Sequence, residues 1–160
     1  MSMDTIVAER PIPEERLVLG EGLGDLGDIV GFHLRLAYNA VYRHFMGSFA
    51  HLDLTQKQTS VLWLISDNPG IAQIDLAARL DMDRATMMAI VDRLEARDFL
   101  VRSRSKSDRR RQDLNLTPVG EAMLEQARTA VLEHEKWLKA RIGDAAKIAD
   151  FVETLRCVYR

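Results

Sequence analysis

Apolar residues recur at helical spacing along most of the chain. One long stripe runs from Asp28 to about Phe49, and it is too apolar for a helix that faces water on most sides. A second long helix is predicted from Pro118 to about Arg141, because Thr117 can cap it and proline suits the first helical position. A last amphipathic helix follows Gly143. The pattern predicts a mostly α-helical protein.

Shorter elements fill the centre of the chain. Thr55 and Gln58 have the spacing of a capping box, and Asn68-Pro69-Gly70 ends the helix that they open. Residues 72–80 predict a short helix, and Asp83 is a good N-cap for the next one. The short helix is predicted to turn Ile74, Ala77 and Leu80 inward, and the next one Met87, Ile90, Val91 and Leu94. Two short helices joined by a tight turn are typical of a helix-turn-helix motif.

A basic hairpin follows the second of these helices. Residues 99–101 and 114–116 predict its strands, and the run VRSRSKSDRRR at 101–111 holds six Lys or Arg and one Asp. The run is therefore about +5 in a chain of net charge −2. Such a local excess is stabilised by a polyanion, most commonly the phosphate backbone of nucleic acid, although a solvated basic loop is the alternative. A helix followed by a basic hairpin predicts a winged helix-turn-helix that binds double-stranded DNA.

The predicted DNA contacts fall into two groups. Arg84, Thr86 and Met88 lie in the first turns of the second helix of the motif and are expected at base edges or adjacent phosphates, with Arg93 beside them. The hairpin residues expected to contact phosphates are Arg102, Arg104, Lys106, Arg109 and Arg111.

Composition excludes several other classes of protein. No apolar run approaches the roughly 18 residues of a membrane span, and residues 1–16 lack the features of a secretory signal, so a cytoplasmic protein without membrane contact is expected. Cys157 alone excludes an internal disulfide and is expected to be an inert core thiol. Neither a nucleophile-base pair nor paired carboxylates stand out, and the four histidines are scattered, so no enzyme, metal site or cofactor is predicted. The glycines at 22–27 fit G-x-G-x-x-G but lack the flanking strands of a dinucleotide site.

The chain resembles the multiple-antibiotic-resistance regulator (MarR) family. The resemblance rests on the order of elements over residues 28–159 and on the pattern D-x-R-x-x-x-x-x-L-T, met by Asp108, Arg110, Leu116 and Thr117. It implies a homodimer whose recognition helices enter successive major grooves, with Arg110 in the minor groove and oriented by Asp108. The chain departs from the family at Asp81 and Asp98, where glycine is usual, and at Ala72, where a Ser or Thr cap is common.

The expected organisation follows from these elements. Three long helices carry more apolar surface than the small central motif can cover, so a second copy of the chain is expected to cover the rest. The predicted fold is a mostly α winged helix-turn-helix with long N- and C-terminal dimerisation helices and a two-stranded β wing. Its parts are a flexible arm at 1–27, a dimerisation helix at 28–53, the DNA-binding lobe at 54–117 and C-terminal dimerisation helices at 118–160.

The family resemblance also suggests what the protein senses. Effectors in the family are usually aromatic acids or phenols, and in some subgroups aryl-coenzyme A (CoA) thioesters. An arginine for a carboxylate and aromatic walls for a ring would suit such a ligand, although the same side chains could pack in a dimer core. The expected ligand residues are His33, Arg35, Tyr38, Tyr42 and Trp63. The predicted function is a ligand-responsive transcription factor, most often a repressor, that binds a pseudo-palindrome; a redox sensor, a metal sensor and a winged-helix protein-interaction module are the alternatives.

Overall fold

A computed structural model describes residues 22–104 and 112–160. The described chain is mainly helical, as predicted, and forms two compact units that divide between Tyr38 and Asn39. Its elements in chain order are α1 (Val30–Phe49), α2 (Gln56–Asp67), β1 (Ile71–Ala72), α3 (Gln73–Arg79), α4 (Arg84–Ala96), β2 (Leu100–Arg104), β3 (Gln112–Leu116), α5 (Pro118–Ile142) and α6 (Ala145–Tyr159).

The first unit holds the start of α1 and the segment before it. Residues Gly24–Asp28 form a short 3-10 helix, although the sequence predicted an arm with little structure of its own. His33 Nε2 lies 2.6 Å from the carbonyl oxygen of Gly27, and the Arg35 guanidinium lies 5.1 Å from the ring centre of Phe32. Residues 1–21 of the predicted arm lie outside the described part of the chain.

The second unit is built on the predicted caps. The Thr55 hydroxyl accepts a hydrogen bond from the Gln58 amide at 3.2 Å, and the Gln58 side chain accepts from the Thr55 amide at 2.9 Å, which confirms the capping box. These bonds satisfy amides at the start of α2 that have no partner within the helix. The core below them contains Val61, Leu62 and Ile65 of α2 and Met87, Val91 and Leu94 of α4.

The two strands of the predicted wing, β2 and β3, belong to a sheet whose third strand, β1, the sequence does not predict. β3 lies between β1 and β2, and both pairings are antiparallel, with Leu100 opposite Leu116 and Ile71 opposite Leu114. β1 has only two residues, which is too short to produce an alternating pattern that sequence could reveal.

One core prediction in the short helix is wrong. Ile74 is 51% exposed, and Leu76 and Ala77 are the buried residues of α3. Ile74 lies about 200° around the helix from Leu76, because an α-helix turns through about 100° per residue. Ile74 therefore adds an apolar side chain to the outer surface of the motif.

The wing meets α5 at a tight junction. Thr117 Oγ1 accepts a hydrogen bond from the Gly120 amide at 3.0 Å, which caps α5, and the same hydroxyl donates to the Asp98 carbonyl. Asp98 has φ 57° and Asp81 has φ 48°, so both occupy the left-handed region at the turns where the family usually has glycine. A Cβ atom at Gly120 would lie 1.8 Å from the Phe99 carbonyl oxygen, which explains why this position requires glycine.

The helix α6 is uncovered in the single chain. It has no buried residue, and its apolar side chains include Phe151 and Val152, which are 40% and 39% exposed. Cys157 of this helix is also exposed, so the prediction of a core thiol is wrong for the single chain. Among the described helices, none combines the length and apolar character needed to cross a membrane.

Candidate nucleic-acid interface and effector cavity

The first turn of α4 is fixed by its cap. Asp83 accepts hydrogen bonds from the Thr86 amide at 2.8 Å and from the Thr86 hydroxyl at 2.6 Å. The hydroxyl bond, followed by the amide bond, lowers the pKa of the Asp83 carboxyl from its ordinary value. The Thr86 hydroxyl is thus engaged within the helix, whereas Arg84 and Met88 extend into solvent, Met88 being 53% exposed.

An apolar depression lies beside these residues, between α3 and α4. Exposed Ile74 and Met88 form part of its wall, and Arg84 adds a positive charge. A surface that combines exposed methyl groups with a guanidinium can contact both the apolar and the anionic parts of a DNA groove.

Arg102 connects the wing to α4. Its guanidinium forms ion pairs with Asp92 and Glu95 of α4, and its side chain is only 21% exposed. The sequence predicts Arg102 as a phosphate contact, but these two carboxylates offset its charge and hold β2 against α4. Arg93 and Arg104 are exposed. The other predicted wing residues, Lys106, Asp108, Arg109, Arg110 and Arg111, lie outside the described residues.

A cavity of about 580 Å³ lies within the second unit, among the last part of α1, α2, the end of α3 and α5. Its volume is in the range of small-molecule binding sites. The apolar residues of its lining are Val41, Phe45, Trp63, Leu64, Leu80, Val131 and Leu138, and the polar ones are Gln56, Thr59, Ser60, Arg79, His134 and Glu135.

Trp63 is the member of the predicted ligand set that lines this cavity. Arg128 lies over its indole ring with Cζ 5.1 Å from the ring centre, a cation–π contact that holds the ring in place. Tyr42 is not part of the lining, and His33, Arg35 and Tyr38 belong to the first unit. The structure therefore brings Trp63 together with residues that the sequence did not select.

The missed residues are Arg79 and His134. Arg79 follows buried Leu76 by three positions, so helical spacing places it at the edge of the inward face of α3. His134 continues the buried stripe of Ala127 and Ala130 on α5. The helical spacing of both residues can be read from the sequence, but it does not indicate that a cavity lies beside them.

Two histidines that seemed scattered in the sequence meet in the fold. His44 Nδ1 lies 2.8 Å from His134 Nδ1, and Trp137 stacks on the His44 ring with 3.9 Å between centres. Burial, and then the neighbouring His44, lowers the pKa of His134, whereas Glu135 opposes the shift. His134 is consequently neutral at physiological pH. In residues 22–104 and 112–160, no three His, Cys, Asp or Glu side chains are grouped so that they could hold a metal ion.

Known proteins share both the sequence and the fold. The sequence model of the MarR family matches residues 54–111 of this chain. A putative transcriptional regulatory protein for the hcr operon of Thauera aromatica is 33% identical over 138 residues, which cover 86% of this chain and 82% of that protein.

Solved structures agree with this relationship. The repressor CouR bound to a 23-mer DNA duplex is 35% identical with a TM-score of 0.81, over 86% of this chain and 97% of that one. CouR bound to p-coumaroyl-CoA is 33% identical with a TM-score of 0.77, over 86% and 96% of the two chains.

These likenesses confirm the predicted winged helix-turn-helix fold. They also confirm a DNA-binding regulator rather than an enzyme, because regulators of this kind act on transcription without catalysing a reaction. The chain belongs to the MarR family of transcriptional regulators.

Proposed function

We propose that the protein is a homodimeric repressor that leaves a pseudo-palindromic operator when a small aromatic carboxylate, or its CoA thioester, binds in the cavity. The observation that carries this proposal is the position of the cavity, whose wall includes Arg79 and Leu80 at the end of α3. This helix leads through Asp81 and Met82 directly into the recognition helix α4.

The lining suits an aromatic ring. Phe45, Trp63 and Leu64 offer flat and aliphatic surfaces, and a few polar groups stand among them, as in most small-molecule sites. The neighbouring structures of CouR, one with DNA and one with p-coumaroyl-CoA, support the same class of effector for this chain.

A ligand in the cavity can act on α4 through α3. The Met82 amide donates to the Ala77 carbonyl at 2.9 Å, so the turn between the two helices is held to α3 by a backbone hydrogen bond. A shift of α3 is therefore passed to the start of α4. The ligand relieves repression only if it binds the DNA-incompetent arrangement more tightly than the competent one.

The second copy of the chain is expected on the apolar face of α6. This helix separates apolar from polar side chains more strongly than α1, α2, α4 and α5, yet it buries no residue in the single chain. Because each chain carries one recognition helix, a two-fold dimer would present two of them to half-sites about 34–36 Å apart.

The DNA contacts remain those that the sequence assigned, with Arg102 reconsidered. Arg84, Met88, Arg93 and Arg104 are exposed and free to approach DNA, and Thr86 helps to fix the first turn of α4. We also propose that Arg110 enters the minor groove and is oriented by Asp108, because a planar guanidinium suits the enhanced negative potential of a narrow A·T-rich groove.

The test is footprinting and fluorescence anisotropy on duplexes from the region upstream of the protein's own gene. We expect protection of two half-sites and a 5- to 150-fold weaker affinity in the presence of 4-hydroxycinnamate or p-coumaroyl-CoA. Cys157→Ser is the control, because an aromatic-ligand response does not need the exposed thiol. Protection of a single half-site would contradict the dimer, and release only by an oxidant or a metal ion would contradict the effector class.

A further inference from the structure

The cavity contains one fixed cation. Arg79 is the only Lys or Arg among the described residues that line it. Phe45 is buried and Trp63 half-buried, whereas Arg79 is exposed, so the positive charge stands where the cavity opens to solvent. A ligand with an aromatic ring at one end and a negative charge at the other fits this arrangement, because the aromatic side chains lie inside the cavity and the cation lies at its opening.

Arg79 is held in place by Asn68 at the end of α2. The Asn68 side-chain amide donates to the Leu64 carbonyl at 2.9 Å, which turns its oxygen toward α3. That oxygen accepts a hydrogen bond from Arg79 Nη1 at 2.8 Å. A guanidinium has five N–H groups in one plane, so this bond orients the plane while occupying one donor.

The other ionisable groups of the lining do not duplicate this charge. Glu135 pairs with Lys139 of its own helix, with 3.4 Å between the charged atoms. His134 is 6% exposed and shares a hydrogen bond with His44. Arg79 is therefore the group in the cavity wall that favours an anion.

We propose that Arg79 binds the anionic group of the effector, either the carboxylate of a free aromatic acid or a phosphate of an aryl-CoA thioester. Both are oxyanions that an arginine fork binds through charge-assisted hydrogen bonds. This inference rests on the proposed function and moves the role first given to Arg35 to a different helix. Because Arg79 belongs to α3, the bound anion would be attached to the helix-turn-helix motif itself.

The test is isothermal titration of three probes into the DNA-free protein. 4-Hydroxycinnamate carries a carboxylate and p-coumaroyl-CoA carries phosphates. The p-coumaroyl thioester of pantetheine carries neither group. For Arg79→Gln we expect about a tenfold loss of affinity for one of the two anionic probes, down to the affinity of the pantetheine thioester. The affinity of the pantetheine thioester itself should not change. The probe that loses affinity identifies which oxyanion the arginine binds.

Two further variants test this interpretation. Arg141→Gln is the control, because Arg141, like Arg79, is an exposed arginine on a helix, but it lies against Trp137, with Cζ 4.0 Å from the ring centre, and not in the cavity lining. It should bind all three probes normally. Arg79→Lys keeps the charge without the planar fork and should give an intermediate loss, even if the glutamine variant fails to fold.

The outcomes separate the two proposals. If the wild-type protein binds these probes and Arg79→Gln binds them equally well, the assignment of Arg79 is wrong while the proposed function stands. Equal weakening of all three probes would also overturn the assignment, since it would indicate a general disturbance of the cavity. If the wild-type protein binds none of them, the proposed class of effector is wrong.

Discussion

The proposed DNA-facing surface and the cavity differ in their chemistry, because the first presents exposed charges and the second is mostly apolar. The proposed DNA-facing surface comes from a nearly continuous stretch of chain, the start of α3 with α4 and β2, and presents exposed cations such as Arg84, Arg93 and Arg104. The cavity is assembled from four helices, with lining residues from Val41 to Leu138, and most of its surface is apolar. A polyanion attracts cations over a distance and tolerates water between them, whereas a small ligand must be desolvated to bind tightly.

One short helix belongs to both regions. The start of α3 contributes Gln73 and Ile74 to the apolar depression beside α4, and its end contributes Arg79 and Leu80 to the cavity. Because α3 has only seven residues, we expect a displacement at one of its ends to be passed to the other. The two regions differ in chemistry but share α3, and a packed helix that contributes to both sites can couple a ligand to DNA binding if its two arrangements differ in affinity for each.

The largest expected effect concerns the junction that carries the wing. Gly120→Ala would place a methyl group 1.8 Å from the Phe99 carbonyl oxygen, and a shift of either backbone would strain the Thr117 hydroxyl bonds to the Gly120 amide and the Asp98 carbonyl. We expect the free energy of unfolding to fall by about 3 kcal/mol or more. Urea denaturation at a fixed protein concentration measures this change.

A second glycine provides the control for this experiment. Gly47 lies inside α1 with no atom within 4 Å of an added Cβ. Gly47→Ala should raise the unfolding free energy by about 0.5–1 kcal/mol, because alanine is the better helix former. Equal effects of the two substitutions would contradict the tight junction between wing and α5.

A smaller effect is expected at two wing arginines. Arg104 is exposed, and Arg104→Ala should reduce the slope of log affinity against log salt by about 0.9 for each of the two copies in the proposed dimer and weaken all duplexes alike. Arg102 is occupied by Asp92 and Glu95, so Arg102→Ala should change the slope much less. It should instead lower the unfolding free energy by up to about 1 kcal/mol. Salt titrations of DNA binding that gave the same slope for both variants would show that Arg102 contacts phosphate after all.

The smallest effect tests the apolar character of the cavity wall. Burial lowers the pKa of His134 below its usual value of about 6.5, so below that pH the unfolded chain binds more protons than the folded one. Thermal stability should therefore decrease as pH falls below about 6.5 and level off once the pH is below the folded pKa. Melting temperatures between pH 8 and 5 should show a weaker dependence in His134→Gln, whereas exposed His51→Gln should behave like the wild type. Identical profiles for wild type and His134→Gln would contradict a buried neutral histidine.

Sequence was sufficient for the elements whose signals are local. The Thr55, Asp83 and Thr117 caps are found where the sequence predicts them, because each depends on a few neighbouring residues. The same holds for the exposed cations of α4, since a charged residue on the polar side of a short helix has few alternatives to solvent.

The cavity depended on packing that the sequence does not encode locally. His44 and His134 are 90 positions apart and come together only when α1 and α5 pack. Arg79 is at the border of the inward face of α3, and only its neighbours from α2 and α5 decide whether that border meets solvent or a cavity. Ile74 failed as a core prediction for a related reason, because two turns of helix do not define one face clearly.

The most direct test of the shared helix is whether ligand and DNA affect each other reciprocally. The affinity of 4-hydroxycinnamate and of p-coumaroyl-CoA is measured with the free protein and with the protein saturated by operator DNA. Linkage requires that DNA weaken the effector by the same factor by which the effector weakens DNA, and we expect about 5- to 150-fold in both directions. An effector that binds the free and the DNA-bound protein with equal affinity would show that the cavity does not control DNA binding.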